Sequence, residues 1–139
     1  VLEFAVSALP AEAGTFMQVS GLRFTVDPDI PSPVMKDTET GMFSHVGEGE
    51  RRVSHVEILD KQSGEYKAVE LSRQYTIATL DYLILEQGGS GILSCVKPDS
   101  IYWGADIEVL RHYLESVLGG NIGSEYTQPQ GRIIYKYFN

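Results

Sequence analysis

Two hydrophobic periods share this chain, and they never settle into a repeating strand–helix–strand rhythm. From Val53 to Leu59 the side chains alternate, with Val53, His55, Glu57 and Leu59 on one face and Ser54, Val56 and Ile58 on the other. That period of two predicts a strand. From Ala105 to Leu118 the apolar residues fall at positions 107, 109, 110, 113, 114, 117 and 118. That spacing predicts an amphipathic helix. Asp106 and Glu108 sit in its first turn and Gly119-Gly120 ends it, in keeping with the helix dipole and with glycine's role at helix C-termini. Strands and helices mixed in this irregular way predict an α+β fold, a mixed sheet packed with helices. At 139 residues the chain is expected to form a single domain, 1–139, with one sizeable core.

The other segments fill in around these two. Apolar positions 1, 2, 4, 5 and 8 suit the end of an amphipathic helix, stopped near Pro10. Met17, Val19, Leu22, Phe24 and Val26 suggest two short strands with Ser20-Gly21 between them. Residues 28–52 hold Pro28, Pro31, Pro33, Gly41, Gly47 and Gly49 among scattered charges, and read as a long surface loop. Lys61-Gln62-Ser63-Gly64 reads as a turn, and Tyr66 to Val69 as a short return strand. Tyr75 to Leu85 is expected to begin as a buried strand and to end as a helical turn. Arg132 to Tyr137 reads as a final strand.

Composition narrows the function classes. The net charge is −8, and a nucleic-acid partner is not expected, because binding a polyanion needs a basic surface. The acids are spread along the chain and serve solubility. No apolar run approaches the roughly 20 residues of a membrane span. The start, Val1-Leu2-Glu3-Phe4, lacks the basic segment of a signal peptide. It opens directly on apolar periodicity without a helix cap, and reads as part of a longer protein. Cys95 is the single cysteine, which excludes an internal disulfide and a thiolate-rich zinc site.

Self-contained catalysis finds no foothold. His45, His55 and His112 have no spacing that suggests a dinuclear metal site, and read as surface or partly packed histidines. Ser20, Ser90 and Ser94 lack a G-x-S-x-G elbow, and Cys95 follows an apolar run that predicts burial. Gly88 to Gly91 lacks the Lys-Ser/Thr that would finish a Walker-type phosphate loop. Tyr102 and Trp103 could bind sugar or protein if exposed; their place just before a helix suits a hydrophobic staple or core plug better.

Gly14-Thr15-Phe16-Met17-Gln18-Val19-Ser20-Gly21-Leu22-Arg23-Phe24-Thr25-Val26-Asp27-Pro28 resembles the segment G-x-F-x-Q-V-S-G-L-R-F-x-x-D-P of the 5′-nucleotidase/UDP-sugar hydrolase family, within its C-terminal, substrate-binding domain. Further matches follow the family's order. Leu2-Glu3 is similar to its L-E-x-S-[VI] helix, Tyr75-Thr76-Ile77-Ala78-Thr79 to its Y-T-[VI]-A-[ST] strand, and Gln130-Gly131-Arg132-Ile133 to its closing E-G-R-I. Thr79-Leu80-Asp81-Tyr82-Leu83 keeps much of N-[DY]-[YF]-L. In the family this precedes G-G-D-G-[YF], which Gly88-Gly89-Ser90-Gly91-Ile92 resembles with two departures. Ser90 stands at the Asp and Ile92 at the aromatic residue.

The resemblance implies the latter two-thirds of a nucleobase-binding specificity domain. Its partner would be an N-terminal metallophosphatase domain of the same polypeptide, and that domain would carry the divalent metal pair and the D-x-H, G-N-H-[ED] and G-H-x-H motifs absent from this chain. No catalytic residue, metal ligand or cofactor is expected here. The implied ligand is a nucleotide or nucleoside, contacted by Phe16, Gly89, Ser90, Gly91 and Ile92, with Phe16 stacking on the base and Ile92 covering its other face. Isoleucine covers by dispersion but lacks a π-face, and Ser90 removes a charged acceptor. Arg132, able to pair with an acid in this domain, suits a structural role better than a ligand role. The implied setting is extracellular, periplasmic or cell-surface. The alternative is a domain that keeps the fold without the base site and serves as a structural or protein-interaction module.

Overall fold

A computed structural model describes residues 1–85, 93 and 104–136. Chain order runs from helix α1 (Leu2–Ala5) through strands β1 (Leu22–Val26), β2 (Val34–Lys36), β3 (Phe43–Val46), β4 (Val53–Leu59) and β5 (Tyr66–Ala68). Among the described residues, helices α2 (Asp81–Leu85) and α3 (Asp106–His112), a 3-10 turn at Ser124–Tyr126 and strand β6 (Ile133–Tyr135) follow. The main sheet has the order β5-β4-β1-β6. β1 pairs antiparallel with β4 and parallel with β6, and β5 returns antiparallel beside β4. The fold is α+β with a mixed sheet, as the periodicities predict.

Alternation explains why β1 lies inside. Phe24 and Val26 point to one side and are almost fully buried with Val6. Arg23 is on the other side, where its Nε donates to Glu57 Oε2 at 2.5 Å and its guanidinium lies 4.4 Å from the Tyr66 ring centre. β4 does not keep the strict alternation read from its sequence. Arg23 pairs with Glu57 and Thr25 with Ser54, so His55 and Val56 together oppose Phe24. His55 takes φ of 50° at this bulge. The extra residue switches the phase of the strand, and Val53 and Val56 both pack on the Phe24 cluster.

A second, smaller cluster gathers around Phe4 and Leu93, with Val34, Phe43 and Leu83 against it. The Phe4 and Phe43 rings meet edge to face, 5.7 Å apart at 83°. The N-terminal segment thus ties the two clusters together, since Phe4 enters one and Val6 the other.

Three expectations are corrected. Residues 28–52 are not simply a loop, because β2 and β3 form an antiparallel hairpin within them. Asp37 Oδ1 closes its turn, accepting from Thr40 N at 2.7 Å and Thr40 Oγ1 at 2.8 Å. Strands of three and four residues carry too short an alternation to stand out from the prolines and glycines around them. Of the two strands expected between Met17 and Val26, only β1 forms. Met17 and Val19 reach the core from irregular backbone. Tyr75 to Leu80 is neither strand nor buried: Ile77 and Leu80 are about half exposed. β-propensity becomes a strand only beside a partner, and no described strand pairs with it.

The expected helix at 105–118 begins as α3 and continues with π hydrogen bonding over Tyr113–Val117. Gly120 N donates back to Leu114 O at 2.8 Å, with Gly119 and Gly120 at φ of 63° and 78°. Only glycine takes that left-handed path without strain.

Candidate functional site

The segment after α1 builds a cleft of about 390 Å³ against the end of the main sheet. Leu9, Pro10, Ala11, Glu12 and Ala13 form one side, and Phe16 and Tyr135 complete the lining. Short-range backbone bonds shape it. Ala11 N donates to Ala8 O at 2.9 Å, and Phe16 N donates to Ala13 O at 3.1 Å. Phe16 and Tyr135 are half-buried, and both also pack on the Val6–Phe24–Val26 cluster. Tyr135 is placed by its parallel register with Val26. Among the described residues the lining is aliphatic and aromatic apart from the exposed carboxylate of Glu12. Such a cleft suits a flat, largely apolar ring that offers hydrogen-bond donors at its edge.

Arg52 holds this segment in place. It is only 6% exposed. Its Nη1 donates to Val6 O at 3.1 Å, Ser7 O at 3.3 Å and Leu9 O at 2.9 Å. Its Nε donates to Ile30 O at 2.5 Å and its Nη2 to Pro28 O at 3.3 Å. A guanidinium spreads its donors in a fixed fork, so one side chain joins the segment beneath the cleft to the 28–30 turn. Glu3 adds a second tie, its Oε1 accepting from Val53 N at 3.0 Å.

Phe16 therefore lines a cleft and serves the core as well. Gly89, Ser90, Gly91 and Ile92 lie outside the described residues, as do Ser94, Cys95, Tyr102 and Trp103. His45, His55 and His112 are exposed on three different elements. Among the described residues no three His, Cys, Asp or Glu side chains gather to hold a metal ion. Among the described residues Arg132 meets no acid: its Nη1 donates to Gln130 Oε1, and its carbonyl accepts from Phe24 N at 2.9 Å. Sequence reasoning missed Glu12, Arg52 and Tyr135. Only Tyr135 left a signal, since alternation in the last strand sets it on the same side as Ile133.

The perturbed carboxylates lie away from the cleft lining. The Lys67 ammonium, helped by the N–H groups of Gln62 and Ser63, holds Asp60 down from 3.8 to about 2. The Arg23 hydrogen bond lowers Glu57, and the Thr40 backbone N–H lowers Asp37. These are turn and cross-strand devices.

The family model described as 5′-nucleotidase, C-terminal domain, matches residues 1–97. This chain belongs to the 5′-nucleotidase C-terminal domain family. The match takes in Phe16, the whole Leu9–Ala13 side of the cleft and Arg52. The family implies an N-terminal catalytic domain as the partner of this one. Nothing among curated proteins or solved structures matches the chain significantly. Among the described residues, no helix is long and apolar enough to cross a membrane.

Proposed function

We propose that this chain is the nucleobase-recognition domain of a 5′-nucleotidase-like metallophosphoesterase that hydrolyses nucleotide phosphate esters. The observation that carries the reading is the position of Phe16. The aromatic residue of the family motif lines an open, mostly apolar cleft although part of its ring serves the core. Phe16 stacks on the base, Ile92 covers it, and Gly89, Ser90 and Gly91 shape the surrounding backbone. The divalent metal pair belongs to the N-terminal domain and supplies Lewis-acid activation of the attacking water. An exported parent enzyme follows from the same family reading.

The test is a titration of the chain with nucleoside monophosphates, followed by amide chemical shifts. Phe16→Leu keeps apolar volume against Val6 and Phe24 and removes the π-face. Because base–aromatic stacking is worth ~1–3 kcal/mol, binding should fall by about tenfold. Unchanged affinity in Phe16→Leu defeats the stacking role. The second reading, a structural or protein-interaction module, is favoured by Ser90 and Ile92 at the family's Asp and aromatic positions. It predicts no selectivity among bases.

A further inference from the structure

We propose that Glu12 and Tyr135 make the Phe16 cleft selective for guanine. Tyr135 adds a second aromatic contact for the base beside Phe16, and the Glu12 carboxylate accepts hydrogen bonds from the guanine N1–H and N2–H. The inference rests on the reading of Phe16 as a nucleobase platform. Two observations take it further. Among the described residues, Phe16 and Tyr135 are the two aromatic residues of the lining, reaching it from distant points in the sequence. Glu12 is, among the described residues, its one carboxylic acid.

The choice of base follows from hydrogen-bond complementarity. A carboxylate offers two acceptor oxygens side by side, and is strongest when two parallel donors meet both. Guanine presents such a pair on its Watson–Crick edge. Adenine and cytosine set an amino donor beside a ring nitrogen acceptor, whose lone pair repels a carboxylate oxygen. Uracil sets one N–H between two carbonyls. Hypoxanthine keeps N1–H and lacks the 2-amino group, which isolates the second hydrogen bond.

The 139-residue chain would be titrated with GMP, IMP and AMP, which share the same phosphate and ribose, with binding followed by NMR. Since a good bidentate contact discriminates strongly between bases, GMP should bind about tenfold more tightly than IMP, with AMP weaker still. Glu12 is exposed, so Glu12→Gln should leave the fold intact and erase the GMP preference. Tyr135→Leu should weaken all three ligands by a similar factor, while Tyr135→Phe binds as the unaltered chain does; melting curves taken alongside show that both variants are folded. Equal binding of GMP and IMP, or a GMP preference that survives Glu12→Gln, overturns the assignment of Glu12. If binding is also lost in Phe16→Leu, the stacking reading survives that failure. Folded Tyr135→Leu with undiminished affinity overturns the assignment of Tyr135. If no nucleotide binds, the guanine assignment and the recognition reading fall together.

Discussion

Arg52 donates from Nη1 to the carbonyl oxygen of Leu9 at 2.9 Å, across 43 residues of sequence. This bond and its four companions place a nearly buried guanidinium against backbone carbonyls of two segments. The cleft side that begins at Leu9 is thereby set by a residue that does not itself line it.

Arg52→Met should therefore destabilise the domain severely. The apolar stem is kept, but up to five carbonyl oxygens lose their donor. With one or two left unsatisfied at about 1–3 kcal/mol each, a loss of about 3 kcal/mol is expected. Urea unfolding followed by circular dichroism measures it. A change under about 1 kcal/mol would show that water replaces the guanidinium readily.

Asp60 makes part of the stability acid-sensitive. Its folded pKa, about 2, lies below the ordinary 3.8, so the unfolded chain binds the proton more readily. The contribution is present above about pH 4 and disappears as pH falls through about 2. Asp60→Asn should lower Tm modestly at pH 7, and the difference from the unaltered chain should vanish near pH 2. Parallel Tm curves between pH 4 and pH 2 would count against the Lys67 pairing.

Gly21 tests a backbone requirement. It has φ of 69°, and a Cβ there would meet nothing within 4 Å. Its carbonyl accepts from Leu59 N at 2.9 Å at the start of β1. Gly21→Ala should cost about 1 kcal/mol through left-handed strain alone. No loss on denaturant unfolding would mean that the turn relaxes to another path.

The Phe16 prediction separates two roles that share one ring. Phe16→Leu should cost little stability, since a volume-near apolar exchange at a half-buried site usually costs under about 1.5 kcal/mol. Binding should fall by about tenfold from the lost stacking face. Calorimetric melting beside the nucleotide titration distinguishes a stacking residue from a packing residue.

Much of the fold was legible because it rests on local patterns. Leu22, Phe24 and Val26 alternate and become the buried side of β1. The Asp60–Gly64 turn and the glycine end of the long helix follow from residue types at fixed offsets. The hairpin of β2 and β3 was hidden because its strands are too short to display a period. Tyr75 to Leu80 misled because its residues favour strands while no described strand pairs with it. Glu12 left no mark in the sequence, since an exposed acid looks like any other solvated charge.

The sequence by itself determined the α+β class, the strand at Val53–Leu59, the helix after Ala105 and the family to which the chain belongs. These depend on periodicity, turn chemistry and motif order, all of which are read along the chain. Only the tertiary structure decided that His55 bulges and turns Val56 inward, that Arg52 lies buried beneath the cleft, and that Tyr135 joins Phe16 across 119 residues. Register, burial and convergence are relations between distant segments. They arise when β1 takes β4 on one side and β6 on the other, and no local pattern contains them.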